Sequence, residues 1–199
     1  MLFRLLILFT FYFTGCSHHQ TAHVVIQKNA VFTQQAQKKL VWDTCKMVYE
    51  NQKYRYDSEI DEDGERWDSL MYKAILARAK NKTLPYAKGD CEDTMWANAR
   101  ILYQSGFPAD QLYLTYCTVL ADQEGNRGGH AILIVLIEGM TPQVVEQLPE
   151  PRPLSYVLQI GYKLIAFVRF DKNIKTDWHF FTGDQYELAR TIFHRKDFK

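Results

Sequence analysis

Residues 88–107, KGDCEDTMWANARILYQSGF, place the strongest condition on what this chain can become. Met95, Ala99 and Leu102 recur at helical spacing, and Gly106 supplies a stop. Asp90 stands where an N-cap is needed, and Asp93, three residues on, gives something close to a capping box. Cys91 then falls at the first position of the helix. The partial positive charge of a helix N-terminus favours thiolate over thiol. A cysteine so placed suits nucleophilic chemistry. The local pattern fits equally well a small buried thiol behind an ordinary cap.

The 199 residues suffice for one domain of average size with extensions. Hydrophobic residues make up 47% and aromatic ones 14%, enough for a dense core. A net charge of +1 lacks the basic excess of a nucleic-acid binder, so no nucleic-acid partner is expected. The chain shows no repeats and no Walker or dinucleotide glycine pattern. Residues 1–15, MLFRLLILFTFYFTG, carry one positive charge and an apolar run too short for the roughly 20 residues a membrane span needs. The run ends in Phe13-Thr14-Gly15-Cys16, which resembles a bacterial lipobox with Cys16 as the lipidated residue, although Phe13 stands where Leu is usual. A plain secretory signal and an uncleaved anchor are the alternatives, and all three export the domain. The expected organisation is a lipoprotein-type signal over 1–15, a polar tether over 16–34 and a domain over 35–199. The tether holds His18, His19 and His23, which read as solvated linker more readily than as a metal site.

Along the domain, residues 35–51 read as a helix carrying Val41, Cys45 and Val48 on one face. The acidic run at 57–65 invites comparison with a calcium loop, but Leu70 falls where the bidentate Glu is required, so a solvated loop is expected. Residues 66–79 read as a second helix and 81–88 as a loop ahead of the Cys91 helix. Strands are predicted over 112–119 and 130–137, followed by a Pro-containing excursion over 140–153. Two more strands are predicted over 154–160 and 162–170, broken at Gly161, and a C-terminal helix within 177–199. Helices first and an antiparallel sheet after make an α+β fold.

Cys91 at a helix start and His130 at a strand start have the layout of a nucleophile and its base, provided a third group orients the imidazole. GDCED with its helix, then GFPADQLYLTY, a loop and HAILIV, resembles the bacterial transglutaminase-like cysteine proteases of the LapG type. Asn51, Tyr56, Asp57, Gly64 and Trp67 fall roughly where that family has an N…Y…D…G…W run. The resemblance covers about residues 40–170 and implies a papain-like, transglutaminase-type core, with Cys91 as nucleophile and His130 as general base. The family's third residue is an aspartate in a Leu-Asp-Asn context on the strand after the histidine. Matching residues 153–159 to that strand puts Gln159 in the position, with Asp171 in reserve.

The resemblance also implies calcium. Asp90, Glu92 and Asp93 crowd around a thiol whose pKa they would raise, and a divalent cation would relieve that conflict. Capping and solvation account for the same carboxylates. Of four cysteines, Cys45 and Cys117 remain after Cys16 and Cys91 are assigned. In an oxidising compartment they fit a disulfide, and equally two buried thiols. The expected function is an exported, lipid-anchored thiol protease on the periplasmic side, cleaving an envelope or adhesin-like surface protein. By resemblance, an inner-membrane receptor responsive to a cyclic dinucleotide would restrain it. Its rival is a catalytically degenerate envelope lipoprotein that uses the fold as a binding module. Acyl transfer to an amine is a third course.

Overall fold

The computed structural model describes residues 33–55, 71–120, 125, 127–170, 178–181 and 183–184. Expectations on residues 1–32 (Cys16 and nearly all of the tether), on 56–70, on Asp171 and on 185–199 lie outside the described residues. Helix α1 spans Gln34–Asn51, with Thr33 as N-cap accepting from the Ala36 amide. Its last residue leads into β1, Gln52–Tyr54. Helix α2 is Met71–Lys80, β2 is Ala87–Gly89, and α3 is Cys91–Gln104. A short 3-10 turn then leads to β3, Leu112–Leu120, and β4, Arg127–Val135. Next come β5 (Gln143–Val145), β6 (Arg152–Pro153), α4 (Leu154–Gln159), β7 (Lys163–Arg169) and β8 (His179–Phe180).

The main sheet runs β6-β5-β4-β3-β7-β8, with every neighbour antiparallel. Side chains alternate across it. One face buries Leu112, Leu114, Leu133 and Val135 against Val41 and Cys45 of α1 and Met95, Ala99 and Leu102 of α3. The other buries Ile132, Ile134 and Val144 against Leu154, Val157 and Leu158 of α4. Helix α2 packs behind α3 through Met71, Tyr72 and Ile75. The α+β expectation therefore agrees with the observed fold.

The short strands β2, β5 and β6 fall where loop was expected, and two of the expected strands also differ. Residues 154–160 form helix α4, not a strand. Its buried residues, Leu154, Val157 and Leu158, follow the i, i+3, i+4 spacing of a helix face, and Pro153 precedes them as N-cap. Strand β4 starts three residues before His130, because Gly128 and Gly129 pair with Val119 and Thr118 across the ladder despite their low strand propensity.

The segment before α3 is held by the parallel pair β1–β2, in register from Gln52↔Ala87 to Tyr54↔Gly89, and by Arg55 N–H donating to Gly89 O at 3.0 Å. Gly89 allows the close approach that follows. A Cβ on it would lie 2.5 Å from Asp93 Oδ2, 2.7 Å from Asp93 Cβ and 2.6 Å from Met71 Sδ. Gly89→Ala must therefore push the first turn of α3 outward. A loss of about 1–3 kcal/mol is expected, read as a shift of the urea midpoint.

Candidate active site

Asp90 caps α3 in extended geometry, its Oδ1 accepting from Glu92 N–H at 3.1 Å and Asp93 N–H at 3.5 Å. Cys91 is the first helical residue. It borders a cleft of about 640 Å³ whose lining also includes His130, Tyr54, Tyr116, Trp178 and Phe180. Cys91 packs beside Ala131 on one face of β4. His130, by alternation with Ile132, projects from the other face, so the two side chains reach the cleft from opposite sides of the strand.

The surroundings of the thiol oppose the thiolate that its helix position favours. Cys91 Sγ donates to Glu92 Oε2 at 2.9 Å. Burial pushes its pKa up well beyond the ordinary value, and the Glu92 carboxylate pushes it further by hydrogen bond and by charge. The Ala131 amide beside His130 works the other way and is outweighed. Asp90, Cys91 and Glu92 bring ligand atoms within 4.8 Å of one another. Asp93, the third expected carboxylate, is 2% exposed and lies against Gly89, outside that group. Calcium prefers oxygen donors. Asp90 and Glu92 bring such donors together beside the thiol.

His130 is oriented by a residue that the sequence reading missed. Its Nε2 lies 3.0 Å from Glu146 Oε2, whose side chain is 7% exposed. Glu146 follows β5, where Leu133 pairs with Val145. Alternation carries its side chain to the His130 face. Burial favours the protonated acid, but the His130 hydrogen bond and the Arg152 charge more than offset it, so the Glu146 pKa lies below the usual 4.5. A carboxylate only accepts, so Nε2 carries the proton in this contact, which leaves Nδ1 as the nitrogen that can accept when the ring is neutral.

Gln159 does not take this role: it ends α4, exposed to solvent, because the segment around it is helical. Asp171 lies outside the described residues. A signal for Glu146 was present in Val145-Glu146-Gln147, whose residue classes follow those of Leu-Asp-Asn. Gln147 ties this corner to the nucleophile helix. Its Nε2 donates to Thr94 Oγ1 at 3.2 Å, and Thr94 Oγ1 also contacts Gln52 Oε1 at 3.0 Å and Asp90 O at 2.6 Å.

The Cys45–Cys117 disulfide is not formed; both are buried free thiols. Cys45 sits in the core on the α1/α3 side of the sheet and Cys117 in the core on the α4 side, so the sheet separates them. Both should be alkylated by iodoacetamide after denaturation without reductant. A Cys45–Cys117 cross-linked peptide in the mass spectrum would contradict this placement.

The depressed Glu146 carboxyl sets a second expectation. Such a group adds stability above about pH 4.5 and loses it as the pH falls through the folded-state value. The urea-midpoint difference between the parent and Glu146→Gln should therefore be largest near neutrality and shrink below pH 4.5.

No curated protein matches the chain in sequence. Among solved structures, Legionella pneumophila LapG aligns at 20% identity over 80% of this chain and 80% of its own, with a TM-score of 0.48. Its EGTA-treated form aligns at 19% identity over 80% and 78%, with a TM-score of 0.49. Its calcium-bound form aligns at 17% over 80% and 84%, with a TM-score of 0.48. The family model described as bacterial transglutaminase-like cysteine proteinase matches residues 12–140, a span that holds Cys91 and His130 and stops short of Glu146. That match covers more than half of the 199 residues, and the chain belongs to the bacterial transglutaminase-like cysteine proteinases, a family of cysteine peptidases.

Proposed function

We propose that the chain is an exported thiol protease in which Cys91 is the nucleophile, His130 the general base and Glu146 the group that orients His130. The observation that carries this reading is the 3.0 Å contact between a buried carboxylate and Nε2 of His130, which lines the cleft together with Cys91. With Nε2–H committed to Glu146, Nδ1 takes the thiol proton. The thiolate attacks a peptide carbonyl carbon, and the imidazolium returns its proton to the leaving amine. Water then hydrolyses the acyl-enzyme, with His130 again as base. Glu146 keeps its charge throughout and stabilises the imidazolium.

Asp90, Glu92 and Asp93 would hold calcium in this reading, the first two with oxygens already close to the thiol. Bound there, calcium would neutralise the carboxylates that raise the thiol. The signal-like residues 1–16 support a periplasmic, lipid-tethered location and an envelope or surface protein as substrate. By resemblance to the family, an inner-membrane receptor is the proposed restraint. One observation favours the rival binding module: the thiol donates to Glu92, and burial and that carboxylate push its pKa up.

The test is to incubate the protein with a bacterial envelope fraction and sequence newly formed protein N-termini. Discrete cleavages are expected, abolished in Cys91→Ser, slowed about 10²–10⁴-fold in Glu146→Gln and unchanged in Gln159→Ala. EGTA should suppress them and added calcium restore them. A cleavage pattern indifferent to Cys91→Ser, or none at all with calcium present, would leave the binding module as the better account.

A further inference from the structure

Glu146 has more partners than the orientation of one imidazole requires. Tyr162 OH donates to the same Oε2 that meets His130, at 3.0 Å. Arg152 Nη2 donates to Oε1 and lies 3.0 Å from Tyr162 OH. The Tyr162 ring also stands edge-on to His130, centroids 6.0 Å apart. We propose that Arg152 and Tyr162 are positioning residues: they fix the Glu146 carboxylate against His130 Nε2, and the Arg152 charge limits how firmly Glu146 holds a proton on His130. The inference rests on reading His130 as the base of the proposed protease.

The local fold delivers both groups to one point. Arg152 sits on β6, which pairs with β5 immediately before Glu146. Helix α4 then turns back at Gly161, whose φ of +99° suits glycine. Gly161 N–H donates to Leu158 O and Tyr162 N–H to Val157 O, both at 3.1 Å, the pattern of a Schellman closure. Arg127 donates to Gly161 O and to Thr118 Oγ1 and O, locking this turn to β3.

The charge arithmetic explains why a clamp is useful. A glutamate has one more rotatable bond than an aspartate, so two fixed donors confine it. A buried carboxylate facing an imidazole without a counter-charge would favour imidazolium and withdraw the base at neutral pH. Arg152 shares that negative charge. Burial opposes the guanidinium charge, and Glu146 more than restores it. Tyr162 is pushed up to about 12, by burial first and then by Glu146, so it remains a neutral donor. The other groups around the pair are Cys117, opposite His130 on β3, Arg127 beside Cys117, and Asp90 and Glu92 on the cleft lining near α3. Among the described residues, Arg152 is the cationic side chain in contact with Glu146 besides His130 itself.

The test is to follow the histidine ring resonances of the protein through a pH titration, assigning His130 by its absence in His130→Gln. Arg152→Gln is expected to move the His130 titration midpoint upward by about 0.5 pH unit or more, roughly a threefold gain in proton affinity. Arg152→Lys should restore most of the parent midpoint. Tyr162→Phe, which keeps the ring and removes only the hydroxyl, should move it the same way by less. The acid limb of proteolysis should follow. A purely structural role would lower stability and leave the midpoint in place.

An unmoved midpoint in folded Arg152→Gln overturns the proposal, as does Arg152→Lys behaving like Arg152→Gln. If Arg152→Gln does not fold, an unmoved midpoint in Tyr162→Phe overturns it instead. A shifted midpoint without any proteolysis would uphold the clamp and reject the protease reading. Proteolysis with an unmoved midpoint would do the reverse.

Discussion

A carboxylate buried beside a sheet is costly unless a counter-charge and hydrogen-bond donors surround it. Glu146 meets that condition through His130, Arg152 and Tyr162, and much of the second half of the chain is arranged around it. Strands β5 and β6 are only three and two residues long. They contribute little sheet of their own, but they set Glu146 and Arg152 side by side. Helix α4 covers the apolar face beneath them and, through its glycine turn, returns the chain so that Tyr162 closes the cluster.

The other half of the site follows a different logic. There the chain brings negative charge to a thiol. Asp90 does so as the cap that α3 needs, and Glu92 as the direct acceptor of the thiol hydrogen. The helix N-terminus favours the thiolate, but burial and an adjacent carboxylate outweigh it. Gly89 shows how tightly this corner is built, since its missing side chain is the space that Asp93 and Met71 occupy.

Where sequence patterns were long, they were legible. The α3 periodicity, its Asp90 cap and the β3 strand all appear as their spacing implied. Short elements were not. Residues 140–153 read as a loop because three-residue strands leave no alternation to detect, and that loop contains Glu146. Leu154, Tyr156 and Leu158 simulate a strand, whereas burial falls on Leu154, Val157 and Leu158. That error moved Gln159 into a role it does not have. Matching by residue class would have found Val145-Glu146-Gln147. The disulfide reading failed for a reason outside any local pattern: apolar helix and strand faces do not reveal which side of a sheet each covers.

The site divides unequally along the chain. His130, Glu146, Arg152 and Tyr162 come from one continuous stretch, 130–162, stitched by neighbouring antiparallel strands and a single helix turn. Cys91 arrives from a separate layer, on a helix that meets the sheet through apolar packing and a side-chain bridge at Thr94. The carboxylate cluster is thus nearly local in sequence, whereas the position of the thiol depends on the core packing of α3 against the sheet.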